Sequence, residues 1–267
     1  MSQAGNKTPS TSGDNLDAIL SDLAENLEYR IDEGERSVEI DPDVVKALSE
    51  APAQAPAASA PAPEPAPARS VSPETAAELE KITKRIAGCK RCSLCQERTN
   101  TVPGQGSQSP EIAFVGEGPG ADEDAQGLAF VGRAGKLLTK MIQAMGLTRE
   151  EVWIGNIVKC RPPGNRAPLP DEMEECLPYL KEQLALLQPK VIVCLGATAV
   201  KGLLETKIGI TKLRGNWMSF EGIDVMPTFH PAYLLRNPPT KKEAWEDLQE
   251  VLRHLGKPIP KRKKGTA

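Results

Sequence analysis

Residues 112–145 read IAFVGEGPGADEDAQGLAFVGRAGKLLTKMIQAM, and the succession of patterns inside them decides the fold. Ile112 to Gly116 is a short apolar run without alternation, the mark of a strand buried on both faces. A glycine-rich turn follows, and from Ala134 to Met145 the apolar residues recur at helical spacing. The same unit repeats along the chain. Further apolar runs lie at Val152 to Val158, Val191 to Leu195 and Val225 to Phe229, and helical patterns at Thr75 to Ala87, Asp171 to Leu187, Ala197 to Leu204 and Lys241 to His254. Strand and helix in alternation predict an α/β fold, a three-layer α/β/α sandwich around a central four-stranded parallel sheet. Ligands in such sheets sit beyond the carboxyl ends of the strands, so the segments after Val115, Ile154 and Met226 are the places to search.

Outside this core the composition changes. The chain has 267 residues with 24 prolines and only 4% aromatics, which implies that part of it packs no core. Residues 51–72 are an Ala/Pro-rich linker, too poor in side-chain surface and too rich in fixed φ angles for a helix. Residues 1–50 are acidic and expected to be mostly disordered. Within them Leu16, Ile19, Leu20, Leu23 and Leu27 recur at helical spacing, which suits either a transient helix or a short amphipathic one that docks on a protein partner. Residues 73–256 form the expected folded domain, and residues 257–267 a basic tail. The formal net charge is −3, but residues 1–70 hold 13 acids against 5 bases, so the remainder carries a net excess of positive charge. That excess permits, without requiring, approach to a polyanion. With no apolar run long enough to span a bilayer and no secretory signal, the expectation is a cytoplasmic protein with no membrane contact. Nothing in the sequence calls for an oligomer, so a monomer is expected.

Six cysteines in such a chain argue against a disulfide framework. Cys89 and Cys92 form a C-x2-C pair, while Cys160 and Cys176 lie far downstream. Converging thiolate pairs hold either zinc or an iron–sulfur cluster, and spacing alone does not choose. Cys95 extends the first group but no fourth cysteine completes a ferredoxin run, and Cys194, inside VIVCL, reads as a buried small hydrophobe.

The strand-end loops carry the other chemistry. GEGPGA, from Gly116 to Ala121, loosely fits a dinucleotide-binding turn, but Asp122, Glu123 and Asp124 follow at once and would repel a pyrophosphate. What remains is close backbone approach and a carboxylate at Glu117. Phe130 to Gly135, FVGRAG, offers a ring for stacking and, through Arg133 and a helix start, a place for phosphate. Asn156 can donate and accept side by side, as the edge of a base requires, and Lys159, Arg161 and Arg166 follow it. His230 stands at the end of the last strand, in FHPAYLLRNP, whereas His254 falls in the terminal helix.

GEGPGADED with FVGRAG, NIVKCRPPGNR, the paired cysteines and TFHPAYLLRNP together resemble the family 4 uracil-DNA glycosylases, over roughly Ile82 to Leu255. The resemblance implies hydrolysis of the bond between uracil and deoxyribose in DNA, leaving an abasic site for base-excision repair. It implies a [4Fe–4S] cluster on Cys89, Cys92, Cys160 and Cys176, with Cys95 and Cys194 free. It also assigns roles: Glu117 and Gly118 border the sugar and attacking water, Phe130 stacks on uracil, Asn156 reads its pairing edge, and His230 faces its O2. Glu123 would gate the C5 position, where a thymine methyl would clash. Leu234 and Leu235 would fill the gap left by the extruded base, and Arg133, Lys159, Arg161, Arg166 and Arg236 would hold flanking phosphates. Ala121 stands where many relatives carry an acid.

Two other classes compete with the hydrolase. A uracil-DNA binding or crosslinking relative without turnover would carry a basic, His-containing insertion, and no histidine precedes His230. An iron–sulfur electron carrier would need neither His230 nor a base-reading asparagine.

Overall fold

A computed structural model describes residues 72–260. The acidic segment 1–50, the linker up to residue 71 and the tail from residue 261 lie outside the described residues. The chain enters through α1 (Pro73–Ala87), where Ser72 accepts a hydrogen bond from the Thr75 amide and Pro73 takes the first helical position. Leu79, Ile82 and Ile86 are its buried stripe. There follow β1 (Gln105–Gly106), β2 (Ile112–Gly116), α2 (Ala121–Gln126), α3 (Arg133–Ala144), β3 (Trp153–Asn156), α4 (Pro170–Leu187), β4 (Val191–Leu195) and α5 (Gly196–Leu204). The last part holds α6 (Ile210–Leu213), β5 (Met218–Phe220), β6 (Ile223–Thr228), α7 (Pro231–Arg236) and α8 (Lys241–His254).

One sheet runs in the order β1-β3-β2-β4-β6-β5. β3, β2, β4 and β6 are parallel neighbours, and they are the four apolar runs of the sequence. The expected four-stranded parallel sheet is therefore the centre of a six-stranded mixed one, because β1 and β5 pair antiparallel on its two edges. Strands of two and three residues are too short to display a period, which is why neither stands out in the sequence. The expected segment 231–236 is also not a loop but α7, with Pro231 supplying its first turn.

Successive residues of each central strand serve opposite layers. Ala113, Val115, Ile192 and Cys194 pack with Leu180 and Leu184 of α4 and Val200 of α5, whereas Ile112, Phe114, Val191 and Val193 pack with Leu138 and Ile142 of α3 and Leu248 of α8. Both faces are covered, and a side-chain period of two divides one apolar run between two cores. The chain passes from β2 to β3 on one side and then to β4 on the other, so loops diverge at the carboxyl ends there and leave a crevice.

Candidate active site

That crevice is a cleft of about 560 Å³, within the range of small-molecule sites. Glu117, Gly118, Glu123, Phe130, Arg133, Asn156, Arg166, His230 and Arg236 all line it. The structure thus gathers the ring, amide, imidazole and carboxylate that the sequence scattered over more than a hundred residues.

Phe130 is held with unusual care. It is buried, with φ at 53°, a left-handed conformation that an aromatic residue seldom adopts without compensation. Gly135 provides it: a Cβ there would collide with the Phe130 backbone, so the helix start can close under the strained residue only because position 135 is bare. Gly116 does the same for the ring. A Cβ on it would lie 2.5 Å from the Phe130 ring and 2.6 Å from Asn156 Oδ1. The terminal glycine of β2 therefore sets how closely ring and amide approach.

Asn156 ends β3 and is 1% exposed, and its Oδ1 has no hydrogen-bond partner. Buried acceptors are rarely left so. Opposite, the His230 ring lies 5.8 Å from the Phe130 ring, centroid to centroid. The Ala232 amide donates to His230 Nδ1 at 3.1 Å, which leaves the proton of a neutral ring on Nε2. Burial first, then the charge of Arg236, hold the imidazole down to about 4, so at neutral pH it is an uncharged donor.

Three expectations change. Leu234 is 1% exposed and packs with Phe229 and Ala244, so it is a core residue of α7 and not a wedge; Leu235 is half-buried beside it. Helix formation explains this, because α7 turns Tyr233 and Arg236 toward the cleft and Leu234 away from it. Glu123 has its carboxylate committed: it accepts from the Gly120 amide at 3.0 Å and from the Val131 and Gly132 amides at 2.9 Å each. It ties two cleft loops together, which is a different task from gating. Arg166 donates two bonds to buried Glu172, at 2.7 and 2.8 Å, and this pairing with the Leu169 amide and Ser93 holds the Glu172 carboxyl down at about 2. An arginine so engaged is a structural partner more than a free phosphate anchor. Arg161 donates to Asn165 at 2.7 Å, and Arg133 and Arg236 remain exposed at the cleft. Sequence reasoning missed Tyr233 and Asn165, which also line it; only the backbone of α7 and a left-handed φ at Asn165 bring them there.

The second constellation lies behind β3. Cys89, Cys92, Cys95, Cys160 and Cys176 line one cavity with Lys159, Arg98 and Glu175, while Cys194 is fully buried elsewhere in the core. Among the described residues, no three His, Cys, Asp or Glu side chains are drawn together as they would be round a single metal ion. The donor set is nonetheless all sulfur, the choice of soft metals and iron–sulfur clusters. Arg98 donates to Cys160 Sγ at 3.1 Å and the Lys159 amide to Cys176 Sγ at 3.2 Å, as amides and cations do toward anionic sulfur. Lys159, expected among the phosphate-holding bases, is 1% exposed and faces these thiols instead.

The family model for the uracil DNA glycosylase superfamily matches residues 103–249. A type-4 uracil-DNA glycosylase of Thermotoga maritima is 49% identical over 163 residues, covering 60% of this chain and 84% of the relative. That of Sulfurisphaera tokodaii is 49% identical over 182 residues, covering 65% and 83%, and that of Archaeoglobus fulgidus 42% identical over 190 residues, covering 68% and 96%. No helix among the described residues is long and apolar enough to cross a membrane. The chain belongs to the uracil-DNA glycosylase superfamily, and within it to the type-4 family.

Proposed function

We propose that the chain excises uracil from DNA by hydrolysis, with the base held between Phe130, Asn156 and His230. The observation that carries this reading is the unpartnered Asn156 Oδ1 at the wall of the cleft. Uracil offers a donor at N3 and an acceptor at O4, which an asparagine amide matches with its oxygen and its NH2. Cytosine presents an acceptor at N3 and would leave the oxygen unsatisfied. Breaking the bond to the sugar leaves negative charge on the base and positive charge on the sugar, so stabilisation of the departing anion matters most. The Nε2–H of His230 donates to O2 as that charge develops, and the Glu117 carboxylate orients water and favours the cationic sugar. Arg133 and Arg236 hold phosphates at the mouth of the cleft, with Arg161 farther out.

We further assign a [4Fe–4S] cluster to Cys89, Cys92, Cys160 and Cys176. The shared cavity and the cations facing it support the assignment. When bound, the cluster supplies cross-linking: it joins the loop after α1 to the exit of β3 and to α4, stiffening the wall behind Asn156.

A single-stranded oligonucleotide with one uracil tests the activity: abasic sites are expected in many-fold excess over protein. Release that stops at one equivalent, or a covalent adduct, would instead indicate a capture protein. Iron and sulfide determination tests the cluster, with equal amounts expected; zinc without sulfide refutes it.

A further inference from the structure

Lys159 is a buried cation with no paired anion among the described residues. It is 1% exposed, and its Nζ has no hydrogen-bond partner. The ammonium lies 5.5 Å from the centroid of the Trp153 ring, but a single cation–π contact offsets only part of the loss of hydration. Glu175, the carboxylate lining the same cavity, is held by Arg91 at 2.9 Å. The other walls are thiols, together with the hydrophobic side chain of Ile86, the ring of Tyr179 and the Arg98 guanidinium. Arg91 also lines the cavity but is paired with Glu175, so two further cations, Lys159 and Arg98, meet five thiols, an arrangement suited to an occupant of net negative charge.

We propose that Lys159 is the internal counter-cation of the thiolate-bound cluster, with Arg98 as its companion at the Cys160 sulfur, and that it sets the cluster's reduction potential. The proposal rests on the cluster assignment above. Thiolates around an iron–sulfur core make an anionic assembly, and each added electron makes it more so. A fixed positive charge in a low-dielectric interior stabilises the more negative state and raises the potential. Replacing Lys159 by methionine keeps most of the stem that packs on Trp153 and removes only the charge.

The experiment is equilibrium redox titration of the full-length, anaerobically purified protein, with iron and sulfide determined on the same samples, for wild type, K159M and K159R. In iron-loaded K159M the reduced-to-oxidised ratio at a given potential is expected to fall at least tenfold, about 59 mV for a one-electron couple, and K159R is expected to restore it. If K159M loses its iron while K159R retains it, the counter-cation role is likewise supported. An unchanged potential in loaded K159M overturns the proposal, as does equal loss of iron from both variants. Wild-type protein without iron and sulfide overturns the cluster assignment itself, a failure distinguishable from the first because it precedes any mutation.

Discussion

Asn156 and Lys159 stand three residues apart at the exit of one strand, and each holds a buried polar atom with no partner. One lines the open cleft, the other the cavity of thiols. The two regions are built on the same backbone turn yet prepared for opposite chemistry. The cleft keeps a neutral acceptor and a neutral imidazole, and the proposed reading of the base rests on their hydrogen-bond pattern. The thiol cavity keeps two cations, Lys159 and Arg98, beyond the Arg91–Glu175 pair, suited to an occupant recognised by its charge. A segment of five residues, Asn156 to Cys160, thus borders two cavities, and the ways of separating them follow from which side a given change touches.

The largest effect is expected on the cleft side. His230→Ala removes the donor to O2, and excision should slow by about 10²- to 10³-fold in single-turnover assays while iron content stays at the wild-type level. Should iron fall with the rate, the two regions are not independent. Asn156→Asp keeps the shape but reverses the NH2 to an acceptor, so the ratio of uracil to cytosine excision should drop. Equal ratios in variant and wild type would remove Asn156 from base reading. Gly116→Ala pushes a methyl against both ring and amide, and misplacement of about 1 Å is worth roughly 10²-fold in rate. Its stability should fall by only about 1–3 kcal/mol, the usual penalty for overpacking.

Leu234→Ala sharpens the contrast from another direction. As a core residue it should lose about 2–5 kcal/mol in denaturant melts, with excision by the remaining folded protein close to wild type. Normal stability with strongly reduced activity on duplex DNA would restore the wedge. Proton linkage at His230 is smaller. Its folded value of about 4 lies below its ordinary 6.5, so the unfolded chain binds the proton first and stability declines as pH falls from about 6.5 to about 4, levelling below that. The difference between wild type and His230→Gln over that window should amount to no more than about 3 kcal/mol, and parallel curves would refute the half-buried, neutral imidazole. Smallest of all is Cys95→Ala, expected to leave iron and sulfide unchanged, whereas Cys176→Ala should lose both.

Much of this was legible from residues alone. The four parallel strands are continuous apolar runs, and the five long helices carry periodic stripes, so local pattern places them to within two residues at most ends. Glu117, Asn156 and His230 were legible because each sits at or just past a strand end, and strand ends in a parallel sheet converge; Phe130 and Arg133 instead lead into the next long helix. What escaped was short or turned by context. β1 and β5 lack a period to read, α7 hides Leu234 because a proline starts a helix where a loop was expected, and the carboxylate of Glu123 is engaged by amides eight and nine residues away. Lys159 looked like its neighbours Arg161 and Arg166, all three being basic residues of one segment.

By itself, the sequence determined the layer architecture, the family and the set of polar groups available for chemistry, since these follow from periodicity, spacing and side-chain type. Only the tertiary structure decided which of those groups are free to act. Engagement depends on atoms brought from distant segments: Glu172 occupies Arg166, three amides occupy Glu123, and nothing among the described residues occupies Asn156 Oδ1, Lys159 Nζ or the Oε1 of Gln183 in the core. A buried polar group is costly until it is paired, and of these three the two that line cavities, Asn156 and Lys159, are the ones a partner from outside the chain could reach.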